Sequence, residues 1–142
     1  MDIKTAEKTL NRAKLELERA EDDEDRRQAA EKGWRAAREA VNAVMELAGE
    51  REKGTRTPSE VEAFEIDVFG RGRGSRHQPL AEGYSLAMYS LHGDCFYDGK
   101  CPSKESLRRA MFRVESLIEQ AEADWTALTS MQKRSRKRRS RR

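Results

Sequence analysis

Residues 3–20, IKTAEKTLNRAKLELERA, place Ile3, Ala6, Leu10, Ala13, Leu17 and Ala20 at alternating steps of three and four. A half-buried strand would alternate every second residue, so this spacing predicts one apolar face of an α-helix. Lys4, Glu7, Lys8, Glu18 and Arg19 fall mostly outside that face. The acidic run Glu21–Asp25 interrupts the stripe and supplies side-chain acceptors and negative charge where a following helix exposes unpaired N–H groups.

The same period returns along the chain. Ala30, Trp34, Ala37, Val41, Val44 and Leu47/Ala48 form a second stripe, and Ala29, Gly33, Ala36 and Ala40 are small enough for close helix approach. That helix is expected to end near Gly49–Gly54. Thr57-Pro58-Ser59-Glu60 combines a capping residue, a proline at the first helical position and a glutamate three after the cap, predicting a short helix from Pro58 to Phe69. Gly70–Pro79, rich in glycine and closed by a proline, reads as a mobile loop. Leu80, Tyr84, Ala87/Met88 and Leu91 restart the period, which is expected to stop around Gly93–Gly99. Cys101-Pro102-Ser103 then opens a long last helix carrying Leu107, Ala110/Met111, Val114, Leu117/Ile118, Ala121, Trp125 and Leu128. Short connections between such elements favour antiparallel neighbours, so the expected fold is all-α: an up-and-down bundle of four to five helices.

Composition agrees with one thin core. Of 142 residues 36% are hydrophobic and 39% charged, which suits narrow stripes on long helices better than a covered sheet. No window approaches the ~18 consecutive apolar residues of a membrane span. Met1–Leu10 lacks an apolar run of signal-peptide type, so a cytoplasmic protein with no membrane partner is expected. The net charge of +3 conceals a division. Eight of the 29 Lys and Arg lie in residues 133–142, leaving 21 against all 26 acids and a body, residues 1–132, of −5. The reading therefore divides the chain into a bundle at 1–132 and a basic tail at 133–142. The tail holds no apolar residue to offset ordering entropy and is expected to be disordered when free.

Two stretches, Ala29-Ala30-Glu31-Lys32-Gly33-Trp34-Arg35-Ala36-Ala37 and Leu91-His92-Gly93-Asp94-Cys95-Phe96-Tyr97-Asp98-Gly99, resemble the HEPN superfamily and within it the archaeal PaREP1-type proteins. The resemblance covers roughly residues 3–128 as an order of elements. It implies a helical bundle that dimerises. In nuclease members an Arg, four to six intervening residues and a His form the site, the imidazole handling a proton while the guanidinium holds the phosphate. His92 matches the histidine position. The arginine is missing, because positions 85–87 are Ser85, Leu86 and Ala87. Arg71 and His77 repeat the spacing, but in the glycine-rich loop.

These observations favour a non-catalytic interaction or assembly module, a homodimer without a cofactor or metal. Arg71, Arg73 and Arg76 in the loop, with Lys133, Arg134, Arg136, Lys137, Arg138, Arg139, Arg141 and Arg142 in the tail, are the candidate contacts to RNA, DNA or an acidic partner. The alternative is a metal-independent ribonuclease using His92 or His77 with Arg71, Arg73 or Arg76, or one component of a toxin–antitoxin or nucleotidyltransferase pair. Cys95 and Cys101 are too few for a disulfide framework. Cys95 is expected as a small buried residue and Cys101 in a turn, with a single bridge on oxidation, or a zinc site with His92 and His77, as lesser readings. Trp34, Phe64, Phe69, Tyr84, Phe112 and Trp125 are expected in the core or an interface, Trp125 being the candidate subunit contact.

Overall fold

The structure, a computed structural model, describes residues 2–74, 77–97 and 101–141. Five α-helices follow in order: α1 Ile3–Arg19, α2 Asp23–Leu47, α3 Pro58–Phe69, α4 Pro79–Ala87 and α5 Lys104–Ser140. A π-helical segment, Met88–Tyr97, continues directly from α4. There is no strand among the described residues. No helix among the described residues is long and apolar enough to cross a membrane.

The helix starts are where the local chemistry places them. Asp2 accepts the Lys4 N–H at 3.1 Å, and Asp22, within the acidic run, accepts the Asp25 N–H at 2.8 Å. Thr57 and Glu60 form the reciprocal capping box, and Ser103 accepts the Ser106 N–H at 3.2 Å. Gly70 ends α3 at φ 69°, a left-handed conformation that glycine adopts without a Cβ penalty.

The two longest helices, α2 and α5, both run antiparallel to α1. Thr9 reaches Glu39 while Lys32 pairs with Glu16, so α1 and α2 run antiparallel. Lys14 to Glu115 at 2.7 Å and Arg108 to Glu18 at 2.6 Å make α1 and α5 antiparallel too. Their buried stripes, Ala6, Leu10, Ala13 and Leu17 on α1, Ala37, Val41 and Val44 on α2, Leu80, Tyr84 and Ala87 on α4, and Leu107 through Leu128 on α5, form one core. The short α3 packs on α4.

Two buried polar groups tie this core to its connections. Tyr84 donates its hydroxyl to the Arg56 carbonyl at 2.6 Å and accepts the Arg56 N–H at 3.1 Å, pinning the α2–α3 connection to α4. Burial pushes the Tyr84 phenol up, with the hydrogen bond to Arg56 opposing it. Glu65, fully buried on α3, accepts the N–H groups of Leu80 and Ala81 at 3.0 and 3.1 Å. These are orphan donors of the first turn of α4, whose own N-cap, Gln78, makes no side-chain cap bond. A carboxylate from another helix thus caps α4.

The period after Leu91 ends inside the expected Gly93–Gly99 stretch, as a wider π turn that runs to Tyr97. One expectation changes. The expected disordered tail, residues 133–142, is instead the end of α5, helical to Ser140; Arg142 lies outside the described residues. The entropy argument treated the tail as an isolated segment needing its own nucleus. As an extension of a helix already nucleated on the core, each added residue needs only propagation, which Lys and Arg support well and no Gly or Pro opposes. Cations in the last turn also complement the helix dipole.

Glu65→Leu should cost roughly 3–5 kcal/mol of stability, because it strands buried donors and removes one partner of a buried ion pair. Urea unfolding measures this; a loss below about 1 kcal/mol would mean that the α4 cap is not needed.

Candidate functional site

A single missing side chain allows the π segment to lie on α2. A Cβ built at Gly33 would stand 3.1 Å from Leu91 Cδ1 and 3.5 Å from Met111 Cε, so the glycine provides the room in which Leu91 is buried. The next residue of each stretch then meets its counterpart. His92 stacks on Trp34 with ring centroids 5.8 Å apart and 27° between planes, and its Nδ1 lies 3.1 Å from Glu31 Oε2. A carboxylate only accepts, so this hydrogen bond is made with the proton on Nδ1. Arg27 donates Nε–H to the Cys95 carbonyl at 3.3 Å, anchoring the far end of the π segment to the same helix.

These contacts open on a cleft of about 410 Å³, lined by Glu31, Trp34, Arg38, Met88, Tyr89 and His92 among others. Trp34 forms its buried wall and Tyr89, 68% exposed, its rim. Arg38 is the residue that spacing could have revealed and did not. It stands one turn beyond Trp34 and two beyond Glu31 on the same face of α2. Its guanidinium lies 5.8 Å from the Trp34 ring centroid and donates at 3.4 Å to Thr55 Oγ1. It forms no ion pair among the described residues, and its buried Nε has no hydrogen-bond partner. A cation, an imidazole paired with a carboxylate and an aromatic rim thus share one opening.

The loop residues stand elsewhere. Arg71 sends both terminal nitrogens to Asp124 at 2.9 and 2.8 Å, pairs with Glu65 at 2.6 Å and covers the Phe69 ring at 4.4 Å. Burial opposes its charge, but the hydrogen bonds and charges of Asp124 and Glu65 outweigh this and raise its pKa further. The expected mobile loop is therefore held at its start by the ion pairs that Arg71 makes with Glu65 of α3 and Asp124 of α5. Arg73 and His77 are exposed and join no described site; Arg76 lies outside the described residues.

Cys95 and Cys101 are bonded to each other, linking the end of the π segment to the residues just before α5. The bridge, read from sequence as the lesser outcome, replaces the free buried cysteine. It also ties up both sulfurs of the zinc alternative, and no group of three or more metal-ligating side chains occurs among the described residues.

The second candidate site is the end of α5. Gln132 donates to the Leu47 carbonyl at 2.8 Å, the last described tie to the bundle. From Lys133 to Arg141 every residue is exposed. None of the cations Lys133, Arg134, Arg136, Lys137, Arg138, Arg139 and Arg141 forms an ion pair among the described residues, so the tail does not fold back on the acidic body. Trp125, the expected subunit contact, is partly buried against the core.

The model of the archaeal PaREP1/PaREP8 family matches residues 2–118, which include Gly33, Trp34, Leu91 and His92 and stop short of the basic end of α5. No curated protein and no solved structure matches the chain.

Gly33→Val should force Leu91 out of its seat, at about 1–3 kcal/mol of stability. Amide hydrogen exchange should accelerate across residues 88–97 more than in α1. Uniform acceleration, or none, would show that Leu91 does not hold the π segment in place.

Proposed function

The chain belongs to the archaeal PaREP1/PaREP8 family, and we propose that it is a HEPN-like binding and assembly module whose projecting basic helix engages a polyanion. The observation that carries this reading is the charge of α5 beyond the core. Seven described cations stand in water without counter-charge on a helix leaving a body of net −5. A polyanion binds such a segment by releasing its own condensed counterions, which needs no shape match but weakens steeply with salt. The HEPN-like assignment is supported by the order of helices and by the meeting of the two resembling segments at Gly33–Leu91 and Trp34–His92.

Assembly into a homodimer is part of the proposal. Leu15 and Phe112 are 56% and 67% exposed, on the two helices joined by the Lys14–Glu115 and Arg108–Glu18 ion pairs. Large apolar side chains left outside a well-filled core are suited to a second apolar surface.

A second reading, a metal-independent ribonuclease, gains one specific support. Arg38 faces the His92 cleft and stands in for the arginine that is absent at positions 85–87. In that chemistry Arg38 would hold the phosphodiester oxygens. His92 Nε2 would take the proton of the 2′-hydroxyl as its oxygen attacks phosphorus, and the 5′ oxygen would leave as a hydroxyl protonated by water, with Glu31 orienting the ring.

Deleting residues 133–142 should lower affinity for heparin or mixed nucleic acid at least tenfold and change unfolding free energy by less than about 0.5 kcal/mol. Binding that is flat between low and physiological salt would overturn the polyanion reading. Light scattering at micromolar concentration should give twice 16.3 kDa, and Phe112→Glu should reduce it toward the monomer. A strict monomer for the unaltered chain removes the assembly half. For the second reading, RNA cleavage must vanish in both His92→Ala and Arg38→Ala; cleavage that survives either substitution excludes it.

A further inference from the structure

We propose that residues 133–141 at the end of α5 act as a preformed α-helix that seats in the major groove of double-helical DNA, an inference that rests on the polyanion reading and specifies its partner. The argument begins with what helicity adds to charge. A disordered basic tail would wrap any phosphate chain alike. A helix is a rod roughly 10–12 Å across with its side chains, and the B-DNA major groove is about 12 Å wide. The A-form groove of duplex RNA is deep and narrow and does not admit such a rod.

The distribution of cations around the rod supports a groove over a flat surface. Arg134, Lys137, Arg138 and Arg141 follow helical spacing on one side, while Arg136 and Arg139 point away from them. Only Ser135 and Ser140 interrupt the charge between Lys133 and Arg141. A membrane or a flat acidic protein meets one side of a helix and leaves the others unneutralised. A groove presents phosphates along both walls at once. The segment also lacks the apolar face that a membrane-surface helix requires and the aromatic rings on which unpaired bases stack.

The bundle fixes how the rod is presented. α5 is unbroken from Lys104, its last buried residue is Leu128, and Gln132 is tied to Leu47. The basic end therefore emerges at a set angle rather than on a swivel, about 12–14 Å long, a length that spans on the order of four base-pair steps. Like charges at i and i+4, such as Lys133 with Lys137 and Arg134 with Arg138, weaken this helix in free solution. Phosphates on both walls remove that repulsion, so duplex DNA should increase helicity here.

The test uses full-length protein and fluorescence anisotropy with a labelled 20-base-pair DNA duplex, the same sequence as duplex RNA, and one DNA strand alone, at matched salt. Ser135→Pro keeps every charge but removes a helical hydrogen bond; Ser135→Ala keeps both charge and helix. Ser135 is exposed beyond the bundle, and an unchanged urea midpoint confirms that the bundle is intact. Wild type and Ser135→Ala are expected to bind duplex DNA at least tenfold tighter than duplex RNA or single strand. Ser135→Pro should lose at least tenfold in DNA affinity and most of the preference. Hydrogen exchange in residues 133–141 should slow on adding duplex DNA but not duplex RNA. Equal affinity for DNA and RNA duplexes, or undiminished binding by Ser135→Pro, overturns the groove inference and leaves the charge-based reading standing. Nucleic-acid binding that does not depend on residues 133–142 at all overturns both.

Discussion

The absence of a side chain at Gly33 is the constraint on which the candidate site depends. Helix α2 is lined with small residues, but at this position a methyl group would already press on Leu91. Because Leu91 is buried there, the following residue, His92, is set over the ring of Trp34, the residue following Gly33. Two short stretches nearly sixty residues apart thus become one surface. The π turn contributes to the same end. A run of i→i+5 hydrogen bonds widens the helix, and π turns occur frequently at functional sites. Here the presented side chains are His92 and Tyr89, and Arg38 meets them from α2.

A second constraint acts at the other end of α4. Glu65, Arg71 and Asp124 form a buried ionic node in which one carboxylate serves both an ion pair and two backbone donors. Buried ion pairs add little net stability relative to apolar packing, but losing one member is costly. The node therefore matters through what it positions. It holds α3 and α5 together at the start of the glycine-rich loop and directs α4 into the core. Arg71, which by spacing alone looks like half of a phosphate-cleaving pair, is committed to two carboxylates.

The charge division follows from the bundle's geometry. The apolar stripe of α5 ends at Leu128, and after the tie of Gln132 to Leu47 every described residue of the helix is exposed. Met131, the next apolar residue, is already 46% exposed. Residues beyond that point can be charged on every side without disturbing the core. This is why a chain with an acidic body can carry a strongly basic element: the two occupy different volumes, and among the described residues no ion pair joins them.

The amino-acid sequence by itself determined the helices, because periodicity and capping are local: Thr57 through Glu60, the stripes of α1 and α2 and the start of α5 at Ser103 stand where spacing placed them. It also determined the segregation of charge, which is a matter of counting. It could not determine Glu65 as the cap of α4, since a carboxylate fifteen and sixteen residues before the donors it satisfies carries no local signature. Nor could it decide between disorder and helix for residues 133–141, because that outcome depends on whether the preceding turns are already held by the core. Tertiary structure alone decided that Arg71 is spent on Asp124 and Glu65, that Cys95 is joined to Cys101, and that Arg38 shares a cleft with His92. Each is a meeting of residues distant in the chain or turned together by an irregular helix, and spacing constrains only what lies on one regular element.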